Sequence, residues 1–322
     1  MAGDGMFLNV LFLIVGFIVI IKSSDILVDA ASSLALGFKI PKMLIALTIV
    51  SFGTCAPEVA ISFQSVSNGD GVMAFANVIG SCIVNVFLII GLASFIRPIK
   101  VKHATIKKEL PLLLTITFAF SILMLDGLFN PLTSNTFSRK DSLVLIVLFS
   151  MFILYLVGML FRRKRETEQV STGKFSTIAS CFLLVISIIL IIYSSDLIID
   201  CAKNIASALH VSEKIITMTA IVIGTSLPEL IMTVTSAKKG EFDMAIGNII
   251  GTNIFNICIV LGLPILIYGD IVLEGFGFID ILAVFLSSFL LFIFARSERT
   301  ISKKEAIVML LVFVIYYAYL LI

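Results

Sequence analysis

Long apolar runs, interrupted at intervals by short clusters of charge, dominate this chain. The apolar positions follow neither the alternation of a half-buried strand nor the single stripe of a surface helix; they fill whole segments. About 20 apolar residues carry a helix across a bilayer. Ten such segments are predicted, near 7–28, 43–65, 73–96, 111–126, 141–161, 175–199, 214–236, 243–268, 278–295 and 305–322. Continuous runs exclude a transmembrane barrel, whose strands of roughly ten residues alternate inward and outward. The predicted class is an all-α polytopic membrane protein of ten transmembrane helices.

Composition agrees with the pattern. The 322 residues are 59% hydrophobic and 14% charged, with a mean hydropathy of +1.15, which excludes an ordinary soluble domain. The net charge of +2 says little, but its distribution orients the chain. Lys39, Lys42, Arg97, Lys100, Lys102, Lys107 and Lys108, the Arg162–Lys174 cluster, Lys238, Lys239, Arg296, Arg299, Lys303 and Lys304 fall in one alternate set of loops. Together they are 18 of the 23 basic residues. The positive-inside rule puts that set in the cytoplasm and both termini outside. The apolar run after residue 6 is too long for a signal-peptide core, so the first span is expected to stay. The basic loops are short and lack stacking aromatics, so no nucleic-acid partner is expected. Five cysteines without a CxxC spacing read as small buried hydrophobes.

The polar residues inside the apolar runs repeat. Gly53-Thr54-Cys55-Ala56-Pro57-Glu58 returns 171 positions later as Gly224-Thr225-Ser226-Leu227-Pro228-Glu229. At the same offset Ser23-Ser24-Asp25 matches Ser194-Ser195-Asp196, Asn77 matches Asn248, Gly80 matches Gly251 and Asn85 matches Asn256. About a third of the positions between 23 and 96 are identical in this register. Apolar composition alone does not place identical Gly, Pro, Asn and Glu in step. The chain therefore reads as two five-helix halves, 1–161 and 175–322, joined by a cytoplasmic linker at 162–174. Five spans per half put the copies in opposite orientation, an inverted-topology repeat common among secondary transporters. No nucleotide-binding glycine motif occurs, which argues against direct ATP coupling.

Glu58 and Glu229 lie near the middle of their spans. A carboxylate at the bilayer centre costs about 2.5–3.5 kcal/mol on insertion scales, and two near each other also repel. One Ca²⁺ or two Na⁺ neutralises the pair, and hard cations take carboxylate, carbonyl, amide and hydroxyl oxygens. Pro57 and Pro228 weaken the helical ladder and free carbonyls one turn earlier. Thr54 and Thr225 add hydroxyls. Ser81 and Asn85, like Thr252 and Asn256, stand four apart on one helix face. Singly, these small polar residues also suit helix packing or interhelical hydrogen bonds. Asp25, Asp29, Asp196 and Asp200 read as caps or solvated span ends, with a vestibule role open. Asp126 and Asp280 read as interfacial, and His103 and His210 as loop residues.

The two GT-x-x-PE segments, each followed by an asparagine-rich stretch, resemble the alpha repeats of the sodium/calcium exchanger family of the cation/calcium antiporter superfamily, in its compact prokaryotic form. The resemblance covers most of the chain. It implies Glu58 and Glu229 as central ligands for Ca²⁺ and Na⁺, oxygens from Thr54 and Thr225, and ligation by Ser81, Asn85, Thr252 and Asn256. It further implies the backbone carbonyls of Ser51 and Val222 at the Na⁺ sites. Ser226 keeps the serine usual in the motif. Cys55 replaces it in the first copy, and a thiol is a poor ligand for a hard cation. Ala76 stands where the second motif often has Gly, and Cys82 faces Asn253 across the repeat. The implied activity is Na⁺/Ca²⁺ antiport, a transporter rather than an enzyme. The ions are substrates, the bilayer is the surroundings, and neither a cofactor nor an obligatory protein partner is expected. Ca²⁺/H⁺ exchange and K⁺-dependent Na⁺/Ca²⁺ exchange on the same scaffold stay open. An intramembrane hydrolase lacks its motifs: there is no HExxH, no GxSxG and no histidine at membrane depth.

Overall fold

The structure, a computed structural model, describes residues 2–129, 136–161, 173–208, 224–273 and 276–321. The start of the seventh predicted span, most of the linker, Val222 and His210 lie outside the described residues. So does the side chain of Asp126. Among the described residues, seven helices are long and apolar enough to cross a membrane, or eight if one bent pair is a single span.

The first helix, α1 (Ala2–Phe38), is longer than its predicted span. The second span is broken. It runs as α2 (Lys42–Ile45), a π-helical stretch (Ala46–Val50) and α3 (Ser51–Thr54), then turns at Cys55 into α4 (Ala56–Ser67) with a bend of 51°. The third is α5 (Gly71–Ile83), a π-helical stretch (Val84–Ile90) and α6 (Gly91–Ile96) in one continuous rod. After strand β1 (Ile99–Lys100) come α7 (His103–Lys107), α8 (Glu109–Phe129), β2 (Thr136–Phe137) and α9 (Arg139–Phe161). The second half holds α10 (Thr177–Ala208), α11 (Leu227–Lys239) and α12 (Phe242–Phe255), which continues through a π-helical stretch (Asn256–Leu261) into α13 (Gly262–Tyr268). Then follow β3 (Ile271–Val272), α14 (Phe278–Ser297), β4 (Thr300–Ile301) and α15 (Lys303–Leu321). Sequence periodicity carried no signal for the π-helical stretches, because a π turn displaces side chains without changing which residues are apolar.

Burial sorts the helices. In the most apolar windows of Gly71–Ile96 and Phe242–Tyr268, 72% and 78% of residues are buried, against 28% for α1 and 33% for α10. The asparagine-bearing rods are therefore the centre, and α1 and α10 are peripheral, packed along each other. Apolar side chains divide in the same way. One large cluster unites the rods with α8, α9, α14 and α15. A second joins Ile20, Leu27 and Leu34 of α1 to Ile191 and Ile198 of α10 and to Val50 and Met232. Two short antiparallel ladders tie loops together: β1 with β4, and β2 with β3.

One expectation changes. Asp25 and Asp29 are not at a span end but inside α1, because the helix runs on to Phe38. Lys239 at the end of α11 reaches Asp29 at 2.6 Å and Asp25 at 3.6 Å, and Lys174 reaches Asp29 at 2.7 Å. Lys174 titrates above its usual value because of that Asp29 hydrogen bond. Exposed and partly exposed pairs of this kind are individually weak; the Lys239 contacts hold one end of α1 to α11, and Lys174 ties it to the segment before α10. Asp280 lies in the first turn of its span, near the span end as expected, and is buried against protein there. It accepts the Gly277 N–H at 2.9 Å and the Tyr316 hydroxyl at 2.9 Å, which seats the start of α14 against α15.

The rod α12 lies against the broken span with almost no clearance. A Cβ on Gly251 would stand 2.5 Å from Ser51 Oγ and 2.9 Å from the Leu47 backbone. Gly158 in α9 has nothing within 4 Å of that point. Gly251→Val is expected to destabilise the fold by about 1–3 kcal/mol, read as a lower melting temperature in detergent, while Gly158→Val leaves the melt near wild type. Equal melts would show that this contact is not tight.

Candidate functional site

Each glutamate stands just after a helix break. Cys55 (φ −74°, ψ 3°) and Ser226 (φ −84°, ψ 5°) leave the helical region in the same way, and a new helix starts at the next residue. Pro57 and Pro228 occupy the second position of those helices, where the missing N–H has no carbonyl to lose. The prolines therefore open a helix rather than kink one. Glu58 and Glu229 fall in the first turns of α4 and α11. Backbone N–H groups and the positive end of the helix dipole face an anion there, an effect of roughly 0.3–1 kcal/mol that reaches about 2 when partly buried.

Both side chains are fully buried, and they lie within electrostatic reach of each other. None of the four carboxylate oxygens completes a hydrogen bond of normal geometry. The donors beside them are their own backbone N–H groups and a threonine hydroxyl of the opposite half. Thr225 stands by Glu58, and Thr54 stands by Glu229. The halves thus interlock at the glutamates, with each carboxylate set against the other motif's threonine.

The other residues expected at the site, Ser81, Asn85, Ser226, Thr252 and Asn256, are all at zero or near-zero exposure. Ser226 Oγ is 3.5 Å from Ser81 Oγ across the halves. Asn85 Oδ1 and both amide atoms of Asn256 have no partner. The Ser51 carbonyl is engaged, accepting the Cys55 N–H at 3.1 Å and the Thr54 hydroxyl at 3.3 Å. Cys55 is also buried within reach of both glutamates and of Thr252.

Three residues outside the expected set hold the site together. Asn77 Nδ2 donates to the Glu58 carbonyl at 3.3 Å and to Ser62 Oγ at 3.2 Å, clamping α4 on α5. Its repeat mate Asn248 donates to Thr233 Oγ1 at 3.3 Å, clamping α11 on α12. Asn253 accepts from Asn85 Nδ2 at 2.9 Å. The register had already matched Asn77 with Asn248, so the signal existed; what it lacked was a reason to look one turn beyond the carboxylates.

Two fully buried carboxylates within electrostatic reach of each other, with only backbone N–H groups and one threonine hydroxyl apiece beside them, destabilise the fold that holds them. Glu58→Gln and Glu229→Gln are each expected to melt a few degrees higher than wild type in choline buffer free of small binding cations. A lower melt for both would mean that protein donors already satisfy the carboxylates.

The chain matches the family described as sodium/calcium exchanger protein over residues 8–158 and 179–322. It is 37% identical to the inner membrane protein YrbG of Escherichia coli over 270 residues, 81% of each chain. It is 28% identical to the sodium/calcium exchanger MaX1 of Methanosarcina acetivorans over 341 residues, covering 95% of this chain and 96% of that one. The solved structure of the sodium-calcium exchanger NCX_Mj superimposes with a TM-score of 0.82 at 29% identity, covering 97% of this chain and 99% of that chain. The solved structure shares with it an all-helical polytopic membrane fold, and the chain belongs to the sodium/calcium exchanger family.

Proposed function

We propose that this protein is a secondary-active antiporter that exchanges Na⁺ for Ca²⁺ across the cell membrane by alternating access. The observation that carries the reading is the pair of fully buried carboxylates, within electrostatic reach of each other and with no cationic side chain beside them among the described residues. Two negative charges balance one Ca²⁺ or two Na⁺, so a single cage serves both ions in turn. Glu58 and Glu229 are the central ligands. Thr54, Thr225, Ser81, Asn85, Ser226, Thr252 and Asn256 supply amide and hydroxyl oxygens, and the carbonyls of Ser51 and Val222 complete adjoining Na⁺ positions. The Thr54 hydroxyl couples two of these positions: turning it toward Glu229 releases the Ser51 carbonyl. Further Na⁺ on the adjoining oxygens makes the cycle electrogenic. Each net charge moved across 100 mV is worth about 2.3 kcal/mol, which drives Ca²⁺ outward.

The chain is read as ten helices in two inverted halves, 1–161 and 175–322, with the linker 162–174 in the cytoplasm and both termini outside. Several contacts support the inversion. β1 and β3 follow equivalent helices in the two halves, yet β1 pairs with β4 and β3 pairs with β2, and α8 runs between β1 and β2. Thr117 and Ser288, which are repeat mates, touch at 3.0 Å. Repeat mates meet where an axis relating the halves passes between them. Alternating access is assigned to sliding of the α1–α10 pair over the remaining helices. Their separate apolar cluster supports this, and so does the Lys239–Asp29 pair, which fastens α1 to α11 at one end.

In proteoliposomes, an imposed Na⁺ gradient is expected to drive ⁴⁵Ca²⁺ uptake, and an imposed pH gradient is not. Glu58→Gln and Glu229→Gln are each expected to lower the Na⁺-driven rate at least about 100-fold, the scale of losing a buried charged ligand. Uptake driven by pH alone moves the coupling to protons, and full exchange in both variants removes the carboxylates from the site.

A further inference from the structure

We infer that Asn253 is a positioning residue that fixes the amide of Asn85 with its oxygen toward the cations. The inference rests on the ion-exchange reading of the site. It goes beyond that reading because it makes the two central asparagines unequal.

The orientation follows from a chain of hydrogen bonds with one unambiguous end. A backbone carbonyl only accepts. Asn253 Nδ2 donates to the Cys82 carbonyl at 3.4 Å, so the NH₂ of Asn253 is committed to that side. Its Oδ1 then faces Asn85 and accepts Asn85 Nδ2 at 2.9 Å. Asn85 in turn has its NH₂ committed, and its Oδ1 is left fully buried and without a partner. An amide can rotate by half a turn and present either atom. This relay removes that freedom at position 85, because reversing either amide sets NH₂ against NH₂ or oxygen against oxygen.

The other half lacks the relay. The repeat mate of Asn253 is Cys82, 171 positions earlier, and its thiol is a poor acceptor. Asn256, the mate of Asn85, accordingly has neither Nδ2 nor Oδ1 engaged, although it too is fully buried. Asn85 is thus a committed oxygen ligand, while Asn256 is free to turn oxygen toward a cation or NH₂ toward a carboxylate. The empty cage and the loaded cage then differ at Asn256 and not at Asn85.

The test uses Asn85→Asp, whose carboxylate has two equivalent oxygens and needs no orienting. Ca²⁺ concentration for half-maximal Na⁺-driven ⁴⁵Ca²⁺ uptake is measured for wild type, Asn253→Leu, Asn85→Asp and the double variant, with melting temperatures as a check on folding. Asn253→Leu is expected to raise the half-saturating Ca²⁺ about tenfold in the wild-type background, with little change in maximal rate. In the Asn85→Asp background it is expected to raise it less than twofold, or to lower it, since the Asn253 oxygen opposes a carboxylate at 85. An equal rise in both backgrounds makes Asn253 a packing residue and overturns the inference. If Asn253→Leu does not fold, Asn253→Asp replaces it. Asp accepts from Asn85 but cannot hold the Cys82 carbonyl, and the same comparison of backgrounds decides. Loss of exchange from wild type overturns the antiport reading instead, so the two failures are separable.

Discussion

Two carboxylates buried within reach of each other in an apolar fold, opposed only by helix-start N–H groups and one threonine hydroxyl apiece, set the terms for everything else in this molecule. Burying one such group unpaired is strongly unfavourable, and burying two adds their repulsion. The fold tolerates them at the starts of two helices, where backbone N–H groups and the helix dipole oppose part of the charge. The remainder is an attraction for cations that the protein leaves unmet. In the proposed antiport, that unmet attraction would be the thermodynamic basis for binding either ion, and its indifference between one divalent and two monovalent cations the basis for exchange.

The architecture around the pair serves to keep it there. Breaks at Cys55 and Ser226 present the glutamates, and Asn77 and Asn248 hold the helices that follow the breaks. Gly251 lets α12 close on the first break until backbone nearly meets backbone. Both asparagine-bearing rods are the most buried helices and carry π-helical stretches where Asn85 and Asn256 sit. The duplication is nonetheless imperfect where it matters. Cys55 and Cys82 stand against Ser226 and Asn253, so one half carries a hydroxyl and an amide that the other replaces with thiols. A site built from two repeated halves is in this way made chemically unequal between them.

Much of this was legible in the sequence because the costly residues were duplicated in register. Glu58 with Glu229, and Asn85 with Asn256, stood out as polar groups that apolar surroundings do not explain. The helical membrane class followed from unbroken apolar runs. Other features were not legible. The prolines read as kinks because sequence gives their presence but not their helix position; only the backbone places them at the second residue of a new helix. Asp25 and Asp29 read as span ends because charge normally closes an apolar run, whereas here ion pairs with Lys239 and Lys174 let the helix continue. Asp280 was legible as a span-end residue, but its partner Tyr316, 36 residues away, was not. The cross-half pairing of threonine with glutamate, and the Asn253 relay, join residues far apart in the chain, and no local pattern encodes either.

The most direct measurement is anomalous diffraction from crystals soaked in Sr²⁺, used as a heavier stand-in for Ca²⁺, with and without excess Na⁺. One peak between the carboxylates of Glu58 and Glu229, lost as Na⁺ rises, is the expected result. A peak elsewhere, or carboxylates turned away from each other with no density between them, would contradict a shared cation cage.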